Sequence, residues 1–232
     1  LKKKILIIGS NGYLGRKLVK ELKKKHNILE FNYRNSKLDI RKKKDVKKFF
    51  KINRNLDYLI NLSGQISKDI NEMRSINLNG VKNIIQFSEK KTKKIFFSTL
   101  LVRKKKIGNE KIKKNYIISK KKMETLIKKK VGNFNIIRLA NVYDDQINKI
   151  GLMKELKLHF TKKKKITLKN KSELNFYVHY KDFIKVINNI IKHYNNRQVI
   201  TIASEKFTNY QLFNLFKLFS GKNAVRKSEL IK

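Results

Sequence analysis

The sequence predicts an α/β fold built on a doubly wound parallel sheet, and three observations predict it. Residues 4–8, Lys-Ile-Leu-Ile-Ile, form a short apolar run of strand character, followed at once by glycines at 9, 12 and 15. Behind these glycines Leu14, Leu18 and Leu22 recur at helical spacing. From there on, apolar runs of strand length alternate with amphipathic helical stretches, the rhythm of a parallel sheet covered by helices.

In chain order, a helix is expected over residues 16–25 and a second strand over 27–32. Asp39-Ile-Arg follows, then a helix over 43–51 with Val46, Phe49 and Phe50 apolar. Residues 57–62 read as a buried strand that ends in Ser63-Gly64. A long helix carries Ile76, Val81, Ile84, Ile85 and Phe87 and leads to a strand at 94–98. Another helix is expected over 116–129, a strand over 133–139, and a helix over 183–194 capped by Asp182. Ligands of such sheets bind beyond the carboxyl ends of the strands.

Composition narrows the function classes. Cysteine is absent, which excludes disulfides, thiolate nucleophiles and cysteine-held metals. The histidines at 26, 159, 179 and 193 have no metal-ligand spacing, so no metal is expected, and His179 is assigned to packing or hydrogen bonding. No apolar run is long enough to span a bilayer and the chain enters a core strand directly, which leads to the expectation of a soluble cytoplasmic protein without membrane association. The net charge of +42 would ordinarily point to nucleic acid or an anionic membrane surface. However, abundant Lys, Asn, Ile, Phe and Tyr with no Pro or Trp is the pattern that A/T-rich codons produce. The basic runs at 23–25, 42–44, 103–106, 120–122, 128–130 and 162–165 are also scattered between core elements and not gathered in one stripe, so they read as solvated faces.

The chain holds 9 Gly in 232 residues, well below the average usage of about 7%. Three of them fall where a strand turns into a helix, which is where a bound diphosphate needs them. The first permits the tight turn, the second lets the backbone approach the pyrophosphate, and the third lets helix and strand pack closely. Gly9, Asn11, Gly12, Tyr13, Leu14 and Gly15 are therefore expected to hold the diphosphate of a dinucleotide on the helix N-terminus. At the end of the second strand, Asn32 and Arg34 favour NADP(H), because Arg accepts a 2′-phosphate, while Glu30 could serve the ribose of NAD(H). Asp39, with Ile40, is a candidate for the adenine edge or, alternatively, for a helix N-cap.

Thr99 closes a strand, and Tyr116 with Lys120 shares one helix face at i and i+4. A cation beside a phenol favours the phenolate and makes tyrosine an acid/base near neutrality. The spacing alone is not selective, since it recurs at Tyr13/Lys17, Tyr33/Lys37 and Tyr177/Lys181. Only Tyr116 combines it with a helix start and a preceding strand ending in Ser-Thr.

Taken together these segments resemble an extended short-chain dehydrogenase/reductase of the NAD-dependent epimerase/dehydratase family. The resemblance runs over about residues 1–202. It is carried by Gly9-Ser-Asn-Gly12-Tyr-Leu-Gly15, Leu38-Asp39-Ile40, Asn61-Leu-Ser-Gly64-Gln and Asn77-Leu-Asn-Gly80-Val-Lys-Asn83. Phe97-Ser-Thr99, Tyr116-Ile-Ile-Ser-Lys120, Arg138-Leu-Ala-Asn-Val-Tyr143 and Phe176-Tyr-Val-His-Tyr-Lys-Asp182 continue it in the family's order. The short link to Asp39 is similar to the dTDP-4-dehydrorhamnose reductase branch.

The resemblance implies a Rossmann-like sheet with a small C-terminal substrate lobe. The dinucleotide domain would span 1–143, with 174–202 returning to it, and the lobe 144–173 and 203–232. It implies an NAD(P)-dependent epimerase or reductase of a nucleotide sugar. Tyr116 would be the acid/base, Thr99 would position the oxygen, and Lys120 would tune Tyr116 and hold the nicotinamide ribose. Leu62, Ser63 and Gly64 would lie along the cofactor, and a homodimer would form through helices near 70–90 and 116–130.

Val102-Arg103-Lys104, Val81 and Asp144 depart from the family pattern and bear on substrate identity. Leu100-Leu101 replaces the acidic pair of many dehydratases, which disfavours that reaction. Lys163–Lys165, Lys169 and Lys171 could meet a nucleotide diphosphate or be solvated. The rivals are a dinucleotide-binding protein without catalysis and a basic nucleic-acid binder.

Overall fold

The computed structural model describes residues 1–33, 38–104, 110–145, 151–168 and 170–220. Arg34 and Lys169 lie outside them. The described residues divide into two compact units, one lying within 1–139 and 184–202, the other within 140–183 and 203–220.

The first unit is the expected parallel sheet. Its strands are β1 (Lys4–Ile8), β2 (Asn27–Phe31), β3 (Tyr58–Asn61), β4 (Lys93–Thr99) and β5 (Phe134–Leu139), completed by a later strand, Gln198–Ile202. The spatial order is β2-β1-β3-β4-β5 and then that last strand, every neighbouring pair parallel. The chain moves one way from β1 to β2 and the other way from β3 onward. The carboxyl ends of β1 and β3 thus flank the crevice where the strand order reverses, the place at which such sheets bind ligands. The sixth strand carries no strong signal, because Gln198, Val199 and Thr201 are exposed at the sheet edge and only Ile202 is fully buried.

The covering helices are α1 (Tyr13–Leu22), α2 (Lys43–Ile52), α3 (Ile70–Arg74), α4 (Val81–Phe87) and α5 (Lys111–Lys130). Leu18, Val19 and Leu22 of α1 are buried, as are Val46 and Phe50 of α2, which accounts for the apolar spacing read in the sequence. Leu6, Ile8, Phe31, Leu59, Phe96 and Ile136 join Val46 and Phe50 of α2 in one core cluster.

Several boundaries differ from expectation. The helix expected from residue 16 starts at Tyr13, so Gly15 sits inside its first turn. The helix expected from Tyr116 begins five residues earlier, placing Tyr116 in its second turn. The long helix read across 70–90 is interrupted by a π-helical turn, Ser75–Gly80. There Gly80 packs so closely that a Cβ would sit 2.7 Å from Ile40 Cγ1.

In the second unit β6 (Asn141–Tyr143) pairs parallel with β7 (Leu174–His179), and β7 pairs antiparallel with β9 (Glu205–Thr208), the sixth sheet strand above being β8. Tyr143, Leu156, Tyr177 and Leu212 form its buried cluster, with Phe160, Phe213 and Phe216 packed on α6 (Leu152–Lys162) and α8 (Asn209–Ser220). The helix expected from 183 starts at Tyr180, so Asp182 lies within the first turn of α7 (Tyr180–Lys192) and is not the residue before it.

Among the described residues no helix is long and apolar enough to cross a membrane. Lys23–Lys25, Lys42–Lys44, Lys128–Lys130 and Lys163–Lys165 are exposed, as the solvated-face reading expects.

Candidate active site

The site is assembled at the carboxyl ends of β1, β3 and β4. Ile8 ends β1 and Gly9 follows at φ +80°, a conformation that costs glycine little and other residues more. A Cβ at Gly9 would also lie 2.9 Å from Ser63 N, so the turn after β1 rests directly on the segment after β3. The Gly12 amide donates to the Gly9 carbonyl at 3.0 Å, closing the turn. Gly12 then caps α1 with no side chain, and the first turn of α1 holds no acidic residue. The positive end of this helix therefore has no carboxylate competing for it, the condition for an anion to bind there.

Next to the turn lies a neutral hydrogen-bonded cluster. Asn11 Nδ2 donates to Asn32 Oδ1 at 2.8 Å, and Asn32 Nδ2 donates to Ser10 Oγ at 2.9 Å. Glu30 accepts from Lys23 Nζ at 2.8 Å, and that bond holds its carboxyl below the usual range, with Ser10 acting in the same direction. Ser10, buried at 1% exposure, was not singled out by sequence reading, since serine follows a first glycine for many reasons.

Asp39 does not cap α2. That helix starts at Lys43 behind Lys42, and the Asp39 carboxylate instead takes the Arg41 backbone amide at 2.9 Å and its guanidinium at 2.6 to 3.0 Å. The hydrogen bonds from Arg41 keep the carboxyl low against the opposing effect of burial. Ile40 is buried beneath Gly80.

The segment after β3 is shaped by two asparagines. Asn61 Oδ1 accepts from the Ser63 amide at 3.1 Å and the Ser63 hydroxyl at 2.5 Å, bending the chain after Leu62. Asn77, wholly buried in the π-helical turn, accepts from Gln65 N at 2.9 Å and donates to Gln65 O at 2.9 Å and Ser119 Oγ at 3.0 Å. The irregular turn thus joins the Ser63–Gln65 segment to α5, a use of π-helical geometry that periodicity does not reveal. Replacing Asn77 by Leu strands those backbone groups and is expected to cost about 1–3 kcal/mol, measurable as a lowered Tm.

Lys120 is the most constrained of the predicted residues. It is 3% exposed although Lys121 and Lys122 beside it are solvated, and its Nζ donates to Phe97 O of β4 at 2.9 Å. A Cβ on the exposed Gly64 would lie 2.9 Å from that Nζ, which puts the ammonium against the segment after β3. The Lys120 Nζ lies 5.9 Å from the centroid of the Tyr116 ring. Thr99 stands two residues beyond Phe97, and its Oγ1 accepts from Leu101 N at 3.3 Å where β4 turns into a 3-10 turn, Leu100–Arg103.

The expected lowering of the phenol by its lysine neighbour is not what this packing gives. Burial pushes the Tyr116 phenol up to about 12, and burial pushes the Lys120 ammonium down to about 8. Desolvation outweighs the nearby cation, so at neutral pH the phenol is protonated. Burial also separates Lys120 from the other lysines at the same spacing, since Lys17 is only partly buried, Lys181 is exposed and Lys37 lies outside the described residues. Gly64→Ala is expected to push the flexible end of Lys120 aside and weaken dinucleotide binding while Tm changes little, a pairing that titration and melting check together.

A model of the NAD dependent epimerase/dehydratase family matches residues 5–203, and the chain belongs to that family. Its fold is similar to dTDP-4-dehydrorhamnose reductase from Bacillus anthracis in complex with NADP, at 19% identity over 95% of this chain and 82% of the other, TM-score 0.77. It is also similar to UDP-glucose 4-epimerase from Thermotoga maritima with UDP-glucose, at 18% identity over 95% and 84% of the two chains, TM-score 0.76. The Bordetella bronchiseptica enzyme WbmG in complex with NAD and UDP aligns at 18% identity over 97% and 81%, TM-score 0.79. No curated protein matches by sequence. Among the described residues no cluster of histidine and acidic side chains could hold a metal ion.

Proposed function

We propose that the protein is an NAD(P)-dependent epimerase or reductase of a nucleotide-activated sugar, with Tyr116 as its acid/base. The observation that carries this reading is the seating of Lys120. A buried ammonium, tied to the Phe97 carbonyl and pressed against Gly64, stands beside a half-buried phenol at the carboxyl ends of β3 and β4. A lysine kept only for solubility has no reason to be there.

The residues fit a dinucleotide. Side chains at Gly9 and Gly15 would strike backbone atoms, one at Gly12 would crowd the Gly9 carbonyl oxygen at 3.2 Å, and the uncapped α1 N-terminus faces the same turn. Gly9 to Gly15 would hold the diphosphate, and Leu62, Ser63 and Gly64 would lie along the cofactor. Lys120 would hold the nicotinamide ribose. The neutral Asn32 places no carboxylate where a 2′-phosphate would sit, and Glu30 is engaged by Lys23, which supports NADP(H) over NAD(H). A bound nicotinamide exchanges hydride with a sugar carbon. The protonated Tyr116 phenol is set to give its proton to a carbonyl oxygen, Thr99 to orient that oxygen, and the Lys120 charge to ease the phenol's return.

The second unit, including the exposed Lys163–Lys165 and Lys171, would supply the contacts to the nucleotide sugar. A homodimer is part of the same reading, and light scattering that reports a monomer would remove it. The test of function is titration with NADPH and NADH, followed by turnover on dTDP- and UDP-sugars. Tighter binding of NADPH and turnover of at least one sugar are expected. Failure of both dinucleotides to bind at millimolar concentration would overturn the reading.

A further inference from the structure

One turn beyond Lys120 on α5 stands Glu124, 4% exposed in spite of its charge. Its carboxylate is gripped by Arg138 of β5, which donates from Nε to Oε1 at 3.0 Å and from Nη2 to Oε2 at 2.7 Å. This two-pronged pairing is the strong form of a charge-assisted hydrogen bond, and breaking one half leaves an uncompensated buried charge. Residues i and i+4 share a helix face, so Glu124 and Lys120 stand on the same side of α5.

We propose that Glu124, held ionised by Arg138, is a positioning residue that keeps Lys120 charged and seated at the end of β4. The inference rests on the reading of Lys120 given above and extends it to a pair that reading does not use. Lys120 gives up its water for one strand carbonyl, that of Phe97, and burial works against its charge. Glu124 works in the opposite direction, and it is the charged group that acts on Lys120 in this packing. The other groups that face the ammonium do not answer its charge. Tyr116 on the same helix is a protonated phenol, and Phe97 O and Gly64 come from β4 and the segment after β3. Arg138 on β5 is turned to Glu124.

Glu124 would itself be neutralised by burial, but the hydrogen bonds and charge of Arg138 hold its carboxyl below the usual range. The chain of influence therefore runs from β5 through Glu124 to Lys120. Its sign is definite. The Lys120 value is already lowered to about 8, so its cation is present below that pH and lost above it. Removing the carboxylate lowers the value further and draws the loss of charge toward neutrality.

The test follows the Lys120 Cε signal by NMR in protein carrying 13C-labelled lysine, assigned by its disappearance in Lys120→Gln, across pH 6 to 10. Glu124→Gln keeps size and a hydrogen-bond acceptor for Arg138 while removing the charge. Its Lys120 midpoint is expected to fall by about one pH unit or more, and NADPH binding is expected to weaken more at pH 8 than at pH 6.5. An unmoved midpoint would overturn the proposal. If Glu124→Gln does not fold, Arg138→Lys, which keeps the cation but loses the fork, is expected to move the midpoint the same way by less, and no movement there overturns it equally. If the midpoint moves and neither NADPH nor NADH binds either protein, the positioning pair stands and the dinucleotide reading falls.

Discussion

Tyr116→Phe is expected to lower turnover by about 10²- to 10⁴-fold, the range spanned by a single positioned acid/base, with NADPH affinity and Tm close to those of the unchanged protein. The reason is local. Tyr116 is half-buried on α5, and its ring stands beside the Lys120 ammonium. Among the described residues its hydroxyl makes no hydrogen bond, so deleting that oxygen leaves the packing largely intact. The phenol sits at about 12, and proton delivery to a carbonyl oxygen is the task it is suited to at neutral pH. The loss should therefore fall on kcat, with KM little changed. Parallel falls in affinity and stability would instead mark Tyr116 as a packing residue.

Gly15→Val should act through the fold of the cofactor turn. A Cβ at this position would run into the Gly9 carbonyl oxygen and lie 2.7 Å from the Ser10 carbonyl oxygen. All of these are backbone atoms, so no side chain can swing away. The substitution forces α1 off β1 at the turn that Gly12 N and Gly9 O close. Overpacking of this kind costs about 1–3 kcal/mol, which in a chain of this size lowers Tm by roughly 2–4 °C for each kcal/mol. Dinucleotide binding should be lost altogether. Melting and fluorescence titration on the same sample separate the two effects, and retained NADPH affinity would show that the turn is not the diphosphate site.

The central sheet was legible because buried parallel strands leave nothing ambiguous. Ile5 to Ile8, Leu59 and Ile60, and Ile95 to Phe97 are apolar on both faces and bounded by turns. The edge strand Gln198–Ile202 escaped notice because one of its faces meets water. The second unit's three short strands gain their order from one another and from aromatic packing, not from any pattern within each.

At the site, the glycine spacing and the Tyr116/Lys120 pair were readable because the chemistry fixes residue type and distance along the chain. What surrounds them was not. Asn77 reaches Gln65 and Ser119 across 12 and 42 residues, and Glu124 meets Arg138 across 14, so sequence offers the names of these partners and no sign of their meeting. The electrostatics were misjudged for a related reason. Spacing places a cation near a phenol, but only the packing shows how much water both have lost, and here that loss sets both values.

The most direct measurement is transfer of deuterium from NADPH labelled at nicotinamide C4 into a dTDP- or UDP-linked keto sugar, read by mass spectrometry, with Tyr116→Phe run in parallel. Deuterium in the sugar product of the unchanged protein, and little or none from Tyr116→Phe, is the result expected of a hydride-transferring enzyme with this tyrosine as its proton donor. Equal deuterium incorporation by both proteins would contradict the role of Tyr116. Tight NADPH binding with no incorporation into any sugar of the panel would contradict the proposed reaction itself.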